Sequence, residues 1–201
     1  MWRVPVGSSD PLLLLARAID QAADLVTQIG GQQGHLPTPC RSWDVQTLVE
    51  HMIDDLDQFT KAAAGGRPDW SGSVPTVAGD WGNAFRDRAP RLLAAWQEAG
   101  DLTATVQLPI GNLPAAFVVN QQIAEFAVHS WDLGSATGQY YVPDPEVVSH
   151  ALRWASTALL PEYRGTEQAG FAFGPEIGTT DDQPAGVRLA AFFGRDPAWH
   201  Q

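Results

Sequence analysis

Glu125 and His129 stand four residues apart in a stretch of helical periodicity, so both side chains leave one helix face and can close on a shared atom. A carboxylate and an imidazole facing each other inside a protein must be compensated, because an unpaired buried charge costs several kcal/mol. One compensation is a mutual hydrogen bond; the other is a divalent cation. His51, on an earlier helical segment, is the third candidate. It lies at the edge of that segment's apolar stripe, flanked by Asp44, Leu48 and Asp55. An edge position suits the mouth of a helical bundle, where a metal keeps one place open for water or substrate. Two histidines and one carboxylate are a zinc-binding set of the catalytic kind. Glu-x-x-x-His by itself is a weak signal that any long helix produces, and periodicity leaves both compensations open.

Other residues near these three have a plain reading beside a functional one. Asp132, three residues after His129, and Asp55, four after His51, could hold imidazole N–H groups from behind. The alternative is a solvated carboxylate, which is the expectation for Asp55. Gln121 and Gln122 either contact a substrate or satisfy neighbouring backbone. Trp43 and Trp131 are expected as apolar anchors in the core, while Trp70, Trp81 and the loop over 67–79 could roof a pocket. Cys40 has no histidine at a spacing that makes a catalytic dyad evident, so it reads as a packed or loop thiol. His35, His150 and His200 read as loop or surface residues. The sequence holds no glycine-rich phosphate loop, Gly-x-Ser-x-Gly elbow or Cys-x-x-Cys pair, which weakens nucleotide, serine-hydrolase and redox functions.

The elements that position these residues are mostly helices. Asp10-Pro11 is an N-cap followed by proline at the first helical position, opening a helix to about Ile29. Residues 31–41 form a loop, Ser42 caps a second helix with Asp44 in its first turn, and Gly65-Gly66 ends it. The stripe Val45, Leu48, Val49, Met52, Ile53, Leu56, Phe59 and Ala63 gives that helix its buried face. A third helix is predicted over 78–98, with a kink or break at Pro90. Thr103 to Leu108 reads as one short strand. The fourth helix, from near Pro114 to near Gly138, is apolar on most of its circumference and so predicted buried. A fifth opens at Asp144-Pro145 and ends at Pro161. Residues 162–201 form a loop-rich tail with a short helix around 186–193. The expected fold is all-α: an up-down four-helix bundle with a fifth helix, a short strand and an irregular tail, in one domain over 1–201.

Composition narrows the function. The 201 residues are 44% hydrophobic and 17% charged, with eight Trp and eight Phe, which excludes a disordered chain. A domain of this length buries roughly 70% of its unfolded-chain surface and needs no disulfide to stand. The single cysteine fits a reducing compartment, and the longest apolar run near the start is too short for a membrane span. A cytoplasmic location is expected. The net charge of −11, with a single lysine at Lys61, disfavours nucleic acid, anionic membrane surfaces and highly anionic substrates. The expected partner is a small molecule, with the chain a monomer or a homodimer.

Two segments, TPCRSWDVQTLVEHM (Thr38 to Met52) and AEFAVHSWDLGSATGQ (Ala124 to Gln139), resemble the signature regions of one family. It is the group of metal-binding proteins related to the N-terminal domain of mycothiol-dependent maleylpyruvate isomerase, within the DinB/YfiT-like superfamily. The ending FGPEIGTTDDQPAGVRLAAFFGRDPAW (Phe173 to Trp199) resembles the single-domain branch of that family. The resemblance implies a DinB-like four-helix bundle with a divalent metal at one end, zinc before nickel or another ion. Its metal histidine matches His51, and its Glu-x-x-x-His pair matches Glu125 and His129. The isomerase carries a further C-terminal domain, so the expectation is a metal site of the same build and not maleylpyruvate isomerisation itself. Such a site would activate a low-molecular-weight thiol such as mycothiol, as co-substrate, for S-transfer to or isomerisation of a small electrophile. The alternatives are a non-catalytic metal- or ligand-binding protein and a metal-dependent hydrolase.

Overall fold

The computed structural model describes residues 10–41, 43–166, 169, 171 and 173–200. Helices dominate: α1 (Pro11–Thr27), α2 (Val45–Ala63), α3 (Trp81–Ala99), α4 (Ala115–Thr137), α5 (Pro145–Ala158) and α6 (Ala185–Phe192). Between α3 and α4 lies an antiparallel hairpin, β1 (Thr105–Leu108) and β2 (Gly111–Pro114). The fold is thus the expected all-α bundle with a small two-stranded addition.

The cap residues set where the helices start. Asp10 accepts from the Leu12 N–H, and Asp144 accepts from Glu146 and Val147, each ahead of a proline at the first helical position. Asp44, expected inside the first turn of α2, is instead its N-cap and accepts from the Thr47 N–H at 2.8 Å. The carboxylate answers an orphan donor directly there, which a first-turn position would not allow. Ser42, the expected cap, lies outside the described residues. Gly138 closes α4 in the left-handed conformation (φ 69°), which glycine adopts without a Cβ penalty.

Helix α1 packs on α3 and α4, and α2 on the same two, which closes a four-helix core. Leu15, Ile19, Leu48, Met52, Phe85, Leu92, Trp96 and Ile123 fill it. Helix α4 is enclosed nearly all round because α5 and α6 cover its outer side. Two expectations change. Helix α3 continues through Pro90, with no break in the element. Pro90 and Arg86 are both exposed, so the carbonyl left without a partner faces water. The predicted single strand is half of a hairpin, in which Val106 pairs with Leu113 and Leu108 with Gly111. Its partner, Gly-Asn-Leu-Pro, has no alternating pattern of its own and is a strand only through that pairing. Short 3-10 turns at Gly31–Gln33 and Pro161–Tyr163 were also not foreseen.

Candidate metal centre

Helices α2 and α4 bring the site together. His51, Glu125 and His129 each offer a ligand atom, and these atoms lie within 4.8 Å of one another. The two imidazole rings meet edge to face with centroids 5.4 Å apart. On α4, Glu125 Oε2 sits 3.3 Å from His129 Nε2, the i, i+4 closure that the spacing predicts.

The opposite nitrogen of His129 is fixed from behind. Nδ1 lies 3.0 Å from Asp132 Oδ2, so the donor to this carboxylate is Nδ1–H, and Nε2 is directed at the site. Asp132 is wholly buried and is answered by Arg195 from the tail, with Nη2 3.0 Å from Oδ2. Arg195 is itself 7% exposed and also donates from Nη1 to the Phe193 carbonyl. Gly194 permits that approach: a Cβ there would lie 2.8 Å from the Gly174 Cα, and its φ is +80°. The tail after α6 therefore backs the site.

His51 is held differently. Trp43, just before α2, lays its ring 4.4 Å from the His51 ring, centroid to centroid. The lead-in is pinned by Thr38, whose hydroxyl donates to the Trp43 carbonyl at 2.7 Å. Asp55 Oδ2 lies 3.4 Å from His51 Nε2, too long for a good hydrogen bond. The other Asp55 oxygen accepts from the Trp70 indole at 2.9 Å.

Electrostatics separates the two histidines. Burial, with the neighbouring His129, pushes His51 down to about 4, so it is neutral at pH 7. Burial also opposes charge on His129, but the hydrogen bonds to Asp132 and Glu125 outweigh it and raise the group to about 9. Burial works against ionised Asp132 as well; the Arg195 guanidinium overrides it and holds the carboxyl below its ordinary value. Glu125 is likewise held low, by His129 against the cost of burial. Asp55 goes the other way, pushed well above the ordinary range by burial and by Glu125.

The centre opens into a pocket of about 910 Å³. Its floor carries His51, Asp55 and Glu125; Trp43 and Gln121 flank them. One wall is the segment 69–75 and another the hairpin tip at Pro109-Ile110. The loop is tied to α2: the Asp69 N–H donates to Gln58, the Val77 N–H to Glu50, and Trp70 packs on Phe59 at 5.1 Å.

Several expectations need correcting. Asp55 is buried and hydrogen-bonded, not solvated, because the Trp70 loop closes over it. Trp43 is half-buried at the edge of the core, as expected of an apolar anchor, and also lays its ring on His51; Trp131 is half-buried too. Trp70 roofs the pocket as foreseen, but Trp81 does not line it and packs beside Gly34. Gln122 is a core residue, accepting from Trp96 Nε1 and donating to the Val118 carbonyl, while Gln121 faces the pocket. Cys40 is half-buried in the loop before α2. His35 and His200 are exposed and His150 bonds Asn120, all away from the pocket. Arg195 escaped notice because a lone arginine in a tail carries no spacing signal. Its only mark is its place in the Phe-Phe-Gly-Arg-Asp motif.

Comparison with known proteins gives the family and the fold. The family model described as the mycothiol maleylpyruvate isomerase N-terminal domain matches residues 15–134. Two relatives are uncharacterised Mycobacterium tuberculosis proteins, Rv0738 of strain H37Rv and MT0763 of strain CDC 1551. Each is 32% identical over 191 residues, 92% of this chain and 98% of the relative. Crystal structures of the mycothiol-dependent maleylpyruvate isomerase and of a histidine mutant of it superpose with TM-scores of 0.56 and 0.57. Identity is 15%, covering 83% of this chain and 72% of the isomerase, so they speak for the fold.

Proposed function

The chain belongs to the family of the mycothiol maleylpyruvate isomerase N-terminal domain, and from that premise we propose a divalent-metal-dependent enzyme acting on a small thiol. Its reaction would be S-transfer to, or isomerisation of, a small electrophile, with a thiol of the mycothiol kind as co-substrate. The observation that carries this reading is the convergence of His51, Glu125 and His129 within 4.8 Å, with His51 and Glu125 lining a pocket.

The donor set suits a borderline cation such as zinc, with nickel as the next choice: two imidazoles and one carboxylate. One feature of the protein supports the fit. His129 presents Nε2 to the site because Asp132 takes Nδ1–H, the usual arrangement behind a ligating histidine. A divalent cation there would supply Lewis acidity, making the proton of a thiol or water in the open position easier to remove.

The protein's own residues do the rest. Glu125 and the two histidines define the direction from which a reacting sulfur can approach. Trp43 and Trp70 exclude water from two sides of the floor. Asp55, whose carboxyl is pushed well above its ordinary range by burial and by Glu125, lies 3.4 Å from His51 and can exchange a proton with a group on the floor. In this reading residues 1–201 work as one domain whose tail steadies His129 through Arg195 and Asp132.

Metal analysis of protein purified without chelator tests the site. The wild type should carry close to one equivalent and the His51→Ala, Glu125→Ala, His129→Ala triple variant almost none. Equal loading in both would place the metal elsewhere. Loaded wild type incubated with thiol and a panel of epoxides and halides should then consume thiol above background. Binding of metal with no consumption would leave a sensor or storage protein.

A further inference from the structure

Carboxylates supply the negative charge of the pocket, and carboxamides with the Ser71 and Ser73 hydroxyls supply much of its further polarity. Asp54, Asp69 and Glu125 line it together with Gln58 and Gln121, and among its described lining residues there is no lysine or arginine. The nearest buried guanidinium, Arg195, is committed to Asp132 behind the floor. Lys61 and Arg67 act on Asp69 from outside the lining and in water, where their field is screened within about 8 Å. A dication on the three ligands would bring two positive charges against the three carboxylates Glu125, Asp54 and Asp69. A carboxylate or phosphate entering the pocket would therefore lose its hydration beside three carboxylates, with no lysine or arginine among the described lining residues to answer it.

The apolar surface is made chiefly by Phe59, Trp70, Val74, Leu108, Pro109 and Ile110, with the hydroxyls of Ser71 and Ser73 in the same wall as Trp70. Ile110 is 80% exposed at the hairpin tip, an apolar side chain presented at the mouth. The wall is already ordered, since Trp70 is held by Asp55 and Phe59, and Asp69 by Gln58. A ligand meets a formed surface and does not have to order one.

We infer that this pocket selects an organic substrate with an apolar body and hydrogen-bond-donating groups, hydroxyl or ammonium, and rejects those bearing carboxylate or phosphate. The apolar body lies along Trp70 and the hairpin tip, and the donors face Asp54, Asp69 and Gln121. This rests on the metal-site reading for where the reacting atoms sit, and it specifies the electrophile that reading left open. Asp54 and Asp69 become the specificity-determining residues.

The test needs no turnover. Phenylbutanol, phenylbutylamine and phenylbutyrate share one apolar body and differ in the head group. Their binding to the full chain, metal-loaded and metal-free, is followed by tryptophan fluorescence and calorimetry. The alcohol and the amine should bind about tenfold more tightly than the carboxylate in both states. In the Asp54→Asn, Asp69→Asn double variant the preference for amine over carboxylate should narrow severalfold while alcohol binding holds. Equal affinities, tightest binding of phenylbutyrate, or no binding of any of the three would overturn the inference. The proposed reaction fails separately: the expected ranking without thiol consumption upholds the pocket's selectivity and sinks the thiol chemistry. Thiol consumption that is as fast with carboxylate-bearing electrophiles as with their esters does the reverse.

Discussion

The two histidines of the centre lie 5.4 Å apart yet are supported in opposite ways. Behind His129 runs a chain of charge-assisted hydrogen bonds, from Nδ1 to Asp132 to Arg195, all of it buried. Behind His51 there is a tilted tryptophan ring and a carboxyl at 3.4 Å that already serves the Trp70 indole. One ligand is locked by electrostatics that reach 66 residues along the sequence; the other is held by packing. The difference separates a fixed anchor on α4 from a side on α2 that can adjust as a substrate enters.

The strongest way to break this contrast is Asp132→Ala. It strips the partner from a buried guanidinium, and breaking a buried pair from one side costs about 3–5 kcal/mol. Urea unfolding should show that loss. The Asp132→Ala, Arg195→Met double variant should recover much of it, because no charge is then left unanswered. Asp55→Ala should cost clearly less, since the hydrogen bond it accepts comes from the neutral Trp70 indole and not from a buried guanidinium. A similar cost for both would erase the distinction between the two sides.

The pH dependence of chelator-stripped protein sharpens it next. His129 is raised from 6.5 to about 9, so its contribution to stability is complete below 6.5 and is lost as pH rises through 9. His51 is lowered from 6.5 to about 4, so the unfolded chain takes up the proton first, and stability falls as pH drops from 6.5 towards 4. Asp55, raised above 3.8, acts against His51 in that lower window, so Asp55→Asn is the background in which to measure it. In that background His51→Ala should flatten the acid limb and His129→Ala the alkaline one. Exchanged effects would contradict the assignment of charge.

Metal affinity gives the third measure. Loss of a carboxylate behind a ligating histidine typically lowers affinity about 10–100-fold, and Asp132→Asn should fall in that range. Asp55→Asn should change it by less than about threefold, because its 3.4 Å contact orients little. Competition against a chromophoric chelator, run on folded protein, reads both.

How much of this the sequence showed depended on the range of each interaction. Helices α1, α4 and α5 and the Glu125–His129 closure are local, set by caps and by the helical repeat, and they could be read directly. The approach of His51 to that pair is a packing result, and only the resemblance to a family pointed to it. Asp55 was misjudged because its burial comes from a loop fifteen residues away, whose tryptophan finds it only in the folded chain. Strand β2 and Arg195 share that character. Each gains its role from a partner that no local pattern announces.

The mildest change, Trp70→Phe, probes the packed side alone. The phenyl ring keeps most of the contact with Phe59 but removes the indole N–H that Asp55 accepts. A neutral hydrogen bond of this sort contributes about 1 kcal/mol net. Burial and Glu125 would still push the Asp55 carboxyl above its ordinary range, since the lost indole bond worked in the opposite direction. The expected result is a drop of about 1 kcal/mol in unfolding free energy with metal affinity unchanged. If metal affinity instead fell as far as in Asp132→Asn, the roof of the pocket would be positioning His51 as firmly as the buried charges position His129, and α2 would be no more adjustable than α4.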